Sequence, residues 1–365
     1  MTKAVITGWG KCLPPTVIHN DDFKDLFETS DEWITSRTGI KERRISHVKT
    51  SDLAHIAAER ALAAAGVEAL EVDLIILATC TADTLVPNAV SRVQTKLGAF
   101  NAAALDINTA CSGFLYGLTL ARAQIESGLA KKILVIGAEK ITTYLNWKYR
   151  STAILFGDGA GAVLLEPTEE DVGILATSIG NDCRSADFLK VPNFGSDMDR
   201  FQEGAGALTL VLKGQDIFKR AVAGMSHASK EVLGLSGLNK EQLDLIIPHQ
   251  ANLRIIDAVI KRLDVDSEKT FVNIQKYGNT SSASIPIALT EALEEGRLKS
   301  GSHLLLTAFG AGLSVAAVAI RWGSRVTPLS TSDKELEPCD KSFKELIAKS
   351  LAYYNKYATE EPSSE

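Results

Sequence analysis

What most restricts how this chain can fold is a repetition inside it. "VDLIIL" (72–77) returns as "LDLIIP" (243–248), "NTACS" (108–112) as "NTSSA" (279–283), and "ILV" (133–135) as "LLL" (304–306), each pair 171 residues apart. Three matches at one offset imply two similar halves, one structural layout used twice. Each half carries apolar runs that read as buried strands: "LIILATC" (74–80), "KILVIGAE" (132–139) and "GAVLLE" (161–166), then "LIIPHQ" (245–250), "HLLLTAFG" (303–310) and "SVAAVAIRW" (314–322). Amphipathic helical stretches such as "SDLAHIAAERALAAAG" (51–66) and "GQDIFKRAVAGMSHASKEVLG" (214–234) alternate with them. This alternation implies an α/β protein whose sheets are covered on both faces. The halves are expected at 1–170 and 171–322, each with a βαβ-rich sheet. They are expected to pack through the repeated helices that begin near Cys111 and Ser282.

Residues 323–365 form a C-terminal extension. "GSRVTPLSTSDKELEPCDK" (323–341) is polar and turn-rich, a linker in character. "SFKELIAKSLAYYNKYA" (342–358) then puts Phe343, Leu346, Ile347, Leu351 and Tyr354 on one helical stripe, expected to dock on the body. A partner-binding helix is the alternative. "TEEPSSE" (359–365) reads as a disordered end.

A length of 365 residues suits about two domain-sized units, and 45% hydrophobic residues can build a large core. The net charge of −6 gives no overall basic field for nucleic acid or an anionic membrane. No apolar run reaches the roughly 18 residues that span a bilayer, and the N-terminus lacks a leader's apolar stretch. The reading is a soluble cytoplasmic protein. Cys12, Cys80, Cys111, Cys183 and Cys339 are scattered, with no CxxC pair. That argues against a disulfide framework and against a zinc site.

Cys111 stands out among these thiols because it falls at the first turn of a helix. Asn108 or Thr109 can cap that helix. Its start offers free N–H groups and a positive dipole end, which lower a thiol pKa and can hold an oxyanion. The other four cysteines lack this setting and read as structural. His249 sits where an apolar strand ends and a helix begins, the place where α/β folds bind ligands. A lone histidine there is ordinarily a satisfied core residue, but Pro248, Gln250 and Asn252 around it suggest a polar pocket. Asn279 alone reads as a helix cap. The repeat sets it at the turn equivalent to the one before Cys111, so Cys111, His249 and Asn279 are expected to share one site: a nucleophile with two neutral hydrogen-bonding partners. "LFGDGAGAVLLE" (155–166) lacks the phosphate-loop pattern and leads into a strand, so it reads as a structural turn. "FGAGLS" (309–314) is a second glycine turn whose N–H groups could complete an oxyanion hole. Lys219, Arg220, Arg254, Lys261 and Arg262 form a basic cluster, either a solvated helix face or a docking site for an acidic partner.

Taken together, "TSDEWITSRTGIKERRI" (29–45), "TACSGFLYGL" (109–118), "ILFGDGAGAVLLE" (154–166), "PHQANLRI" (248–255) and "GNTSSASIP" (278–286) resemble the β-ketoacyl-acyl-carrier-protein synthase III family. The resemblance covers about residues 1–322. It implies a thiolase-like fold with two duplicated halves in α-β-α-β-α layers, and a homodimer that primes fatty-acid synthesis. By resemblance the triad is Cys111, His249 and Asn279, with an oxyanion hole at the N–H groups of Cys111 and Ala311. Trp33, Arg37, Thr38 and Arg150 would bind the coenzyme A end of the acyl donor. Asn252 would line the pantetheine tunnel and Phe309 the acyl pocket. Lys219, Arg254, Lys261 and Arg262 would meet the acyl-carrier protein. Cys111 would take the acyl group from acyl-CoA, and malonyl-carrier protein would then lose carbon dioxide and attack it. No metal or redox cofactor is implied.

Two features depart from the family pattern. Gly310-Ala311-Gly312 replaces three glycines, and Val315 stands near a usual aromatic. A condensing enzyme for long-chain or secondary-metabolite acyl groups, a thioester hydrolase, and a non-catalytic carrier-binding protein are the alternatives.

Overall fold

The computed structural model describes residues 2–192, 194–198 and 208–357, and for Asp197 and Tyr357 the backbone alone. "TEEPSSE" lies outside the described residues. The chain runs β1 (Lys3–Cys12), β2 (Thr16–His19), α1 (Asp31–Thr38), β3 (Glu42–Ile45), α2 (Thr50–Ala65), β4 (Leu74–Ala78), α3 (Ala89–Leu97), β5 (Ala103–Ile107), α4 (Gly113–Glu126), β6 (Ile133–Glu139), α5 (Arg150–Ala153) and β7 (Gly159–Thr168). It continues through β8 (Gly173–Asn181), β9 (Leu189–Lys190), β10 (Val211–Leu212), α6 (Gly214–Ser236), β11 (Leu245–Pro248), α7 (Leu253–Leu263), α8 (Ile274–Tyr277), α9 (Ser284–Glu294), β12 (His303–Gly310) and β13 (Ser314–Arg321). α10 (Phe343–Tyr357) ends the described chain.

Two sheets carry the body, in the orders β1-β7-β6-β4-β5 and β8-β13-β12-β11. Both run antiparallel, antiparallel, then parallel in the same sequence. Even the register repeats: Leu74 pairs with Ile133 in one sheet and Leu245 with Leu304 in the other, a shift of 171 at both residues. The short ladders β2–β3 and β9–β10 lie outside these sheets.

The parallel strands are apolar along their length because both faces are covered. α2 and α3 pack on the outer face of the first sheet and α6 on the outer face of the second, with α7 against α6. α4 and α9 touch strands of both sheets, so they form the middle layer of an α-β-α-β-α stack. Every residue of α9 from Ser284 to Leu293 is buried. Its large apolar side chains each contribute about 1.5–3 kcal/mol by burial. Among the described residues no helix is long and apolar enough to cross a membrane.

Element ends differ from the sequence reading where a polar side chain takes over the backbone. The strand expected over 74–80 ends at Ala78. There the chain turns so that Thr79, Cys80 and Thr81 reach the Glu139 carboxylate. The strand expected over 245–250 ends at Pro248, whose carbonyl accepts from the Gln250 side chain. The turn expected in "GDGAG" is confined to its start. Gly159 and Gly161 already belong to β7, and a Cβ on Gly161 would stand 2.8 Å from Pro286 and Ile287 of α9. Asp158 is buried, accepts from Ser46 and Thr142, and is pushed up to about 6 by desolvation.

The extension runs back over the first half. Leu329 N–H donates to Ala64 O, and the Arg60 guanidinium donates to Lys334 O and Glu335. α10 then lays Phe343, Leu346, Ile347 and Leu351 into an apolar cluster with Phe23 and Trp147, and Tyr354 is buried as well.

Glycine is required where the middle layer meets the first sheet. A Cβ on Gly137 of β6 would stand 2.3 Å from Ser282 O, at the start of α9. Gly137→Ala should therefore destabilise the protein by about 1–3 kcal/mol, the usual range for overpacking. Denaturant unfolding measures this, and wild-type stability in the variant would show that the helix start can shift.

Candidate active site

Cys111 lies in a single tight turn, Ala110–Ser112, that leads into α4. Ser282 holds the matching place in the turn Ser281–Ala283 before α9. Both turns contain a non-glycine residue in the left-handed region, Ala110 at φ 47° and Ser281 at φ 51°. Such backbone costs about 1–3 kcal/mol and persists only where its surroundings hold it. Asn108 Oδ1 accepts from Ala110 N–H and so caps this turn. It does not cap α4, and the buried Thr109 hydroxyl finds no partner. The start of α4 therefore has no side-chain cap.

The second half closes around that turn. Ser112 Oγ donates to Ser314 Oγ at 2.8 Å, and Ser314 Oγ donates to Thr109 O at 2.9 Å. Gly310 passes so close that a Cβ there would stand 3.0 Å from Cys111 N. The left-handed φ in "GAG" falls on Gly312, at 105°, so Ala311 fits without strain. Val315 packs on Gly224 of α6.

His249 is buried, and its Nδ1 lies 2.6 Å from Ser284 Oγ, the first residue of α9. Its Nε2 is left for a ligand. Asn279 is buried as well. Its Oδ1 accepts from Ser281 N–H at 2.9 Å, which leaves the Nδ2 donors free for a ligand. Gln250 locks the loop between them, its Oε1 accepting from the N–H groups of Asn273 and Ile274.

Cys111, His249 and Asn279 line one cavity of about 510 Å³, together with Arg37, Asn252, Arg254, Lys219 and Phe309. A second cavity of about 240 Å³ also reaches Cys111 and includes Cys80, Ile141, Tyr144, Val191, Leu210 and Ala311. Phe156 and Leu189 border both. Cys111 thus borders both cavities, the larger an outer chamber and the smaller an inner one. Phe309, expected in the acyl pocket, borders the outer chamber because it ends β12 on the His249 side. Cys80, expected to be structural, borders the inner one.

Trp33 stands outside the outer chamber's lining, with the Arg37 guanidinium 4.4 Å and the Arg150 guanidinium 4.5 Å from its ring centroid. Thr38 is buried and touches neither chamber. Its hydroxyl donates to Ile34 O and accepts from Ile40 N–H at the end of α1. Arg254 is exposed at the start of α7 and donates to Ser36 O. Lys261 and Arg262 are exposed at the far end of α7, and Lys219 is exposed on α6.

The electrostatics run against one expectation. Burial pushes the Cys111 thiol up to about 12, with the nearby Glu139 adding to the rise. The Ser281 hydroxyl and Cys111's own N–H pull the other way. The helix start alone does not yield a resting thiolate in so dry a site. Burial also pushes His249 down to about 3, so its ring is neutral at physiological pH.

Two polar residues of the site carried no role in the sequence reading. Ser284 set His249's hydrogen bonding, and its only sequence signal was a hydroxyl opening an otherwise apolar helix. Glu139 is completely buried and accepts from Thr79, Thr81, Cys80, Ser281 and Ser282. Its signal was an acid closing the apolar strand "KILVIGAE".

Comparison with known proteins is decisive on the family. Models described as 3-oxoacyl-[acyl-carrier-protein (ACP)] synthase III match residues 105–183, and the C-terminal model of the same name matches 233–322. A Vibrio cholerae protein named beta-ketoacyl-[acyl-carrier-protein] synthase III 2 is 52% identical over 357 residues, 98% of this chain and 99% of that one. The chain belongs to the β-ketoacyl-acyl-carrier-protein synthase III family. Members of this family are condensing acyltransferases. The family member from Roseiflexus castenholzii is 46% identical over 88% of this chain and 98% of its own. The crystal structure of the Aquifex aeolicus 3-oxoacyl-[acyl-carrier-protein] synthase III superposes with a TM-score of 0.82 at 46% identity, covering 88% of this chain and all of that one. The Vibrio match leaves too few residues unaligned for the C-terminal extension to fall outside it. In the family models, the matched region stops at 322.

The high thiol pKa has a direct test. The thiolate fraction of a thiol titrating near 12 rises about tenfold per pH unit across the neutral range. Alkylation of Cys111 by iodoacetamide, followed by intact mass, should accelerate log-linearly from about pH 6 to about pH 9, with no limb from His249. A plateau below about pH 8 would show a thiol activated at rest.

Proposed function

We propose that the chain primes fatty-acid synthesis, with Cys111 carrying the acyl group and His249 and Asn279 activating the second substrate. The observation that carries this reading is the division of hydrogen bonds around the outer chamber. His249 Nδ1 and Asn279 Oδ1 have protein partners, so His249 Nε2–H and the Asn279 Nδ2 donors remain for a thioester oxygen.

In the first half-reaction the Cys111 sulfur attacks the carbonyl carbon of acyl-CoA. The N–H groups of Cys111 and Ala311 hold the oxyanion. The carbon–sulfur bond to coenzyme A breaks, and the proton given up by Cys111 ends on the departing thiol. In the second, malonyl-acyl-carrier protein enters the emptied outer chamber. His249 Nε2–H and Asn279 Nδ2–H donate to its thioester oxygen. The bond to the carboxylate breaks, carbon dioxide leaves, and its electron pair becomes an enolate on that oxygen. The carbanion attacks acyl-Cys111, forming the new carbon–carbon bond and expelling the Cys111 sulfur, which recovers a proton. Neutral donors suit this step because the charge they stabilise forms on oxygen only as the reaction proceeds. The covalent intermediate splits one hard step into two easier ones. The chemistry in this reading needs neither metal nor redox cofactor.

The remaining assignments follow the same reading. Trp33 with Arg37 and Arg150 is a stacking and charge platform for the coenzyme A end, and Asn252 borders the pantetheine path. Arg254 and Lys219 at the chamber mouth, with Lys261 and Arg262 along α7, face the acidic carrier protein. A homodimer in the cytoplasm completes the proposal. The dimer is supported by β5, which stands at the edge of its sheet, and by Leu85 and Val86, which are exposed large apolar side chains.

Incubation with short acyl-CoA should add one acyl mass to the protein, and Cys111→Ala should abolish it. His249→Ala and Asn279→Ala should keep acylation but lose malonyl decarboxylation by about 100-fold or more, the scale for removing an oxyanion donor. Wild-type decarboxylation in both variants would refute the division of roles. Arg254→Glu should weaken use of the carrier-protein substrate by about tenfold while acyl-CoA acylation stays within about twofold, because a rim charge acts on encounter. Equal loss on both substrates would remove the docking role. Free acid in place of a β-ketoacyl thioester would identify a hydrolase instead.

A further inference from the structure

The C-terminal extension takes no part in the reaction above, yet α10 packs directly behind the wall of the inner chamber. Tyr354 is buried, and its hydroxyl donates to Leu208 O at 2.8 Å. Leu208 belongs to the stretch Leu208–Leu212. Within it, Leu210 N–H donates to Tyr144 O at 2.8 Å, and Val211–Leu212 pairs with Leu189–Lys190. Leu210, Tyr144 and Leu189 border the inner chamber, and Leu212 borders the outer one. At its other end α10 sets Phe343 edge-on against Phe23 and Trp147, and Ile347 is 1% exposed. These side chains belong to one apolar cluster with the chamber-lining Ile141, Phe156 and Leu210. No described side chain of α10 borders either chamber.

We propose that α10 is a specificity-determining brace. By pinning Leu208–Leu212 against Tyr144 and Leu189 it fixes the depth of the inner chamber, and so the longest acyl chain that Cys111 accepts. The inference rests on the reading of Cys111 as acyl carrier. Among the described residues the ladder pairs two residues per strand, and α10 backs it through the Tyr354–Leu208 bond. A wall that yields admits a longer chain without disturbing Cys111, His249 or Asn279, which are held by α4, α9 and β11–β12.

The test uses the full chain and a series of acetyl-, butyryl-, hexanoyl-, octanoyl- and decanoyl-CoA, with Cys111 acylation rates read by intact mass. Tyr354→Phe removes the bond to Leu208 and keeps the ring, and Ile347→Ala loosens the packing. In both, the rate for the longest chain relative to acetyl should change by about tenfold, the scale of one methylene in an apolar pocket. Acetyl transfer should stay within about twofold. Lys344→Ala loses only its exposed pair with Asp25 and should keep the wild-type profile. If Ile347→Ala fails to fold, Tyr354→Phe decides alone. An unchanged profile in Tyr354→Phe, or equal loss at every chain length, overturns the brace. Absence of any acyl adduct on the wild-type protein overturns the active-site reading, and the brace with it. A wild-type adduct with unaltered variant profiles overturns the brace alone.

Discussion

Between the two sheets, two helices start within reach of one buried carboxylate. Glu139 ends β6, the strand that β4 flanks in parallel, and it accepts from the turn after β4 and from both serines of the turn before α9. Ser282 Oγ also donates to Ala78 O, so the start of the second half's helix is bonded to the first half's sheet. These bonds hold Ser281 in its left-handed conformation. Through Ser281 N–H they hold Asn279, and the Ser281 hydroxyl leans on Cys111. A buried carboxylate without donors would cost several kcal/mol. Ringed by donors it becomes the fixed point from which the triad's geometry follows.

The same burial that fixes the triad sets its protonation. Desolvation favours neutral forms, raising Cys111 and lowering His249 together. A site built to generate a resting thiolate would pair the cysteine with a charged imidazolium. This one keeps both neutral, which gives up resting nucleophilicity but preserves a donating Nε2–H on His249. In the proposed second half-reaction that donor meets the thioester oxygen, and a charged ring would be harder to keep in so apolar a setting. The helix-start field then acts on charge as it forms during attack.

Much of this was legible in the sequence because the repeat converts a one-dimensional offset into a geometric statement. Leu74 and Leu245 share a register, and so do the turns of Cys111 and Ser282. From that alone the middle pair of helices and the meeting of Cys111 with Asn279 can be inferred. What stayed hidden is what crosses between halves without repeating. Glu139 meets Ser281 and Ser282, and the Ser112–Ser314 bond ties the start of β13 to the Cys111 turn. Ser284 orients His249 in the same way. None of these pairs shows a periodic signal, because each joins residues whose separation depends on how the sheets stack.

The two chambers also explain why the family framework and the extension can divide the work. The outer chamber is bounded mainly by α7, α6 and the ends of β11 and β12, with Leu189 and Leu212 of the β9–β10 ladder at one side. The inner chamber is bounded on one side by the Cys111 turn and Cys80, which Glu139 holds rigid. On the other side stands a ladder of two residues per strand, β9 with β10, outside both main sheets. Reaction chemistry must be invariant, so its groups sit on the rigid side. In the proposed reading acyl preference is set at that ladder, apart from the reacting groups. An element added beyond the duplicated body can press on that ladder without touching any reacting atom, which makes the back of the ladder the place where an extension alters selectivity and leaves the mechanism unchanged.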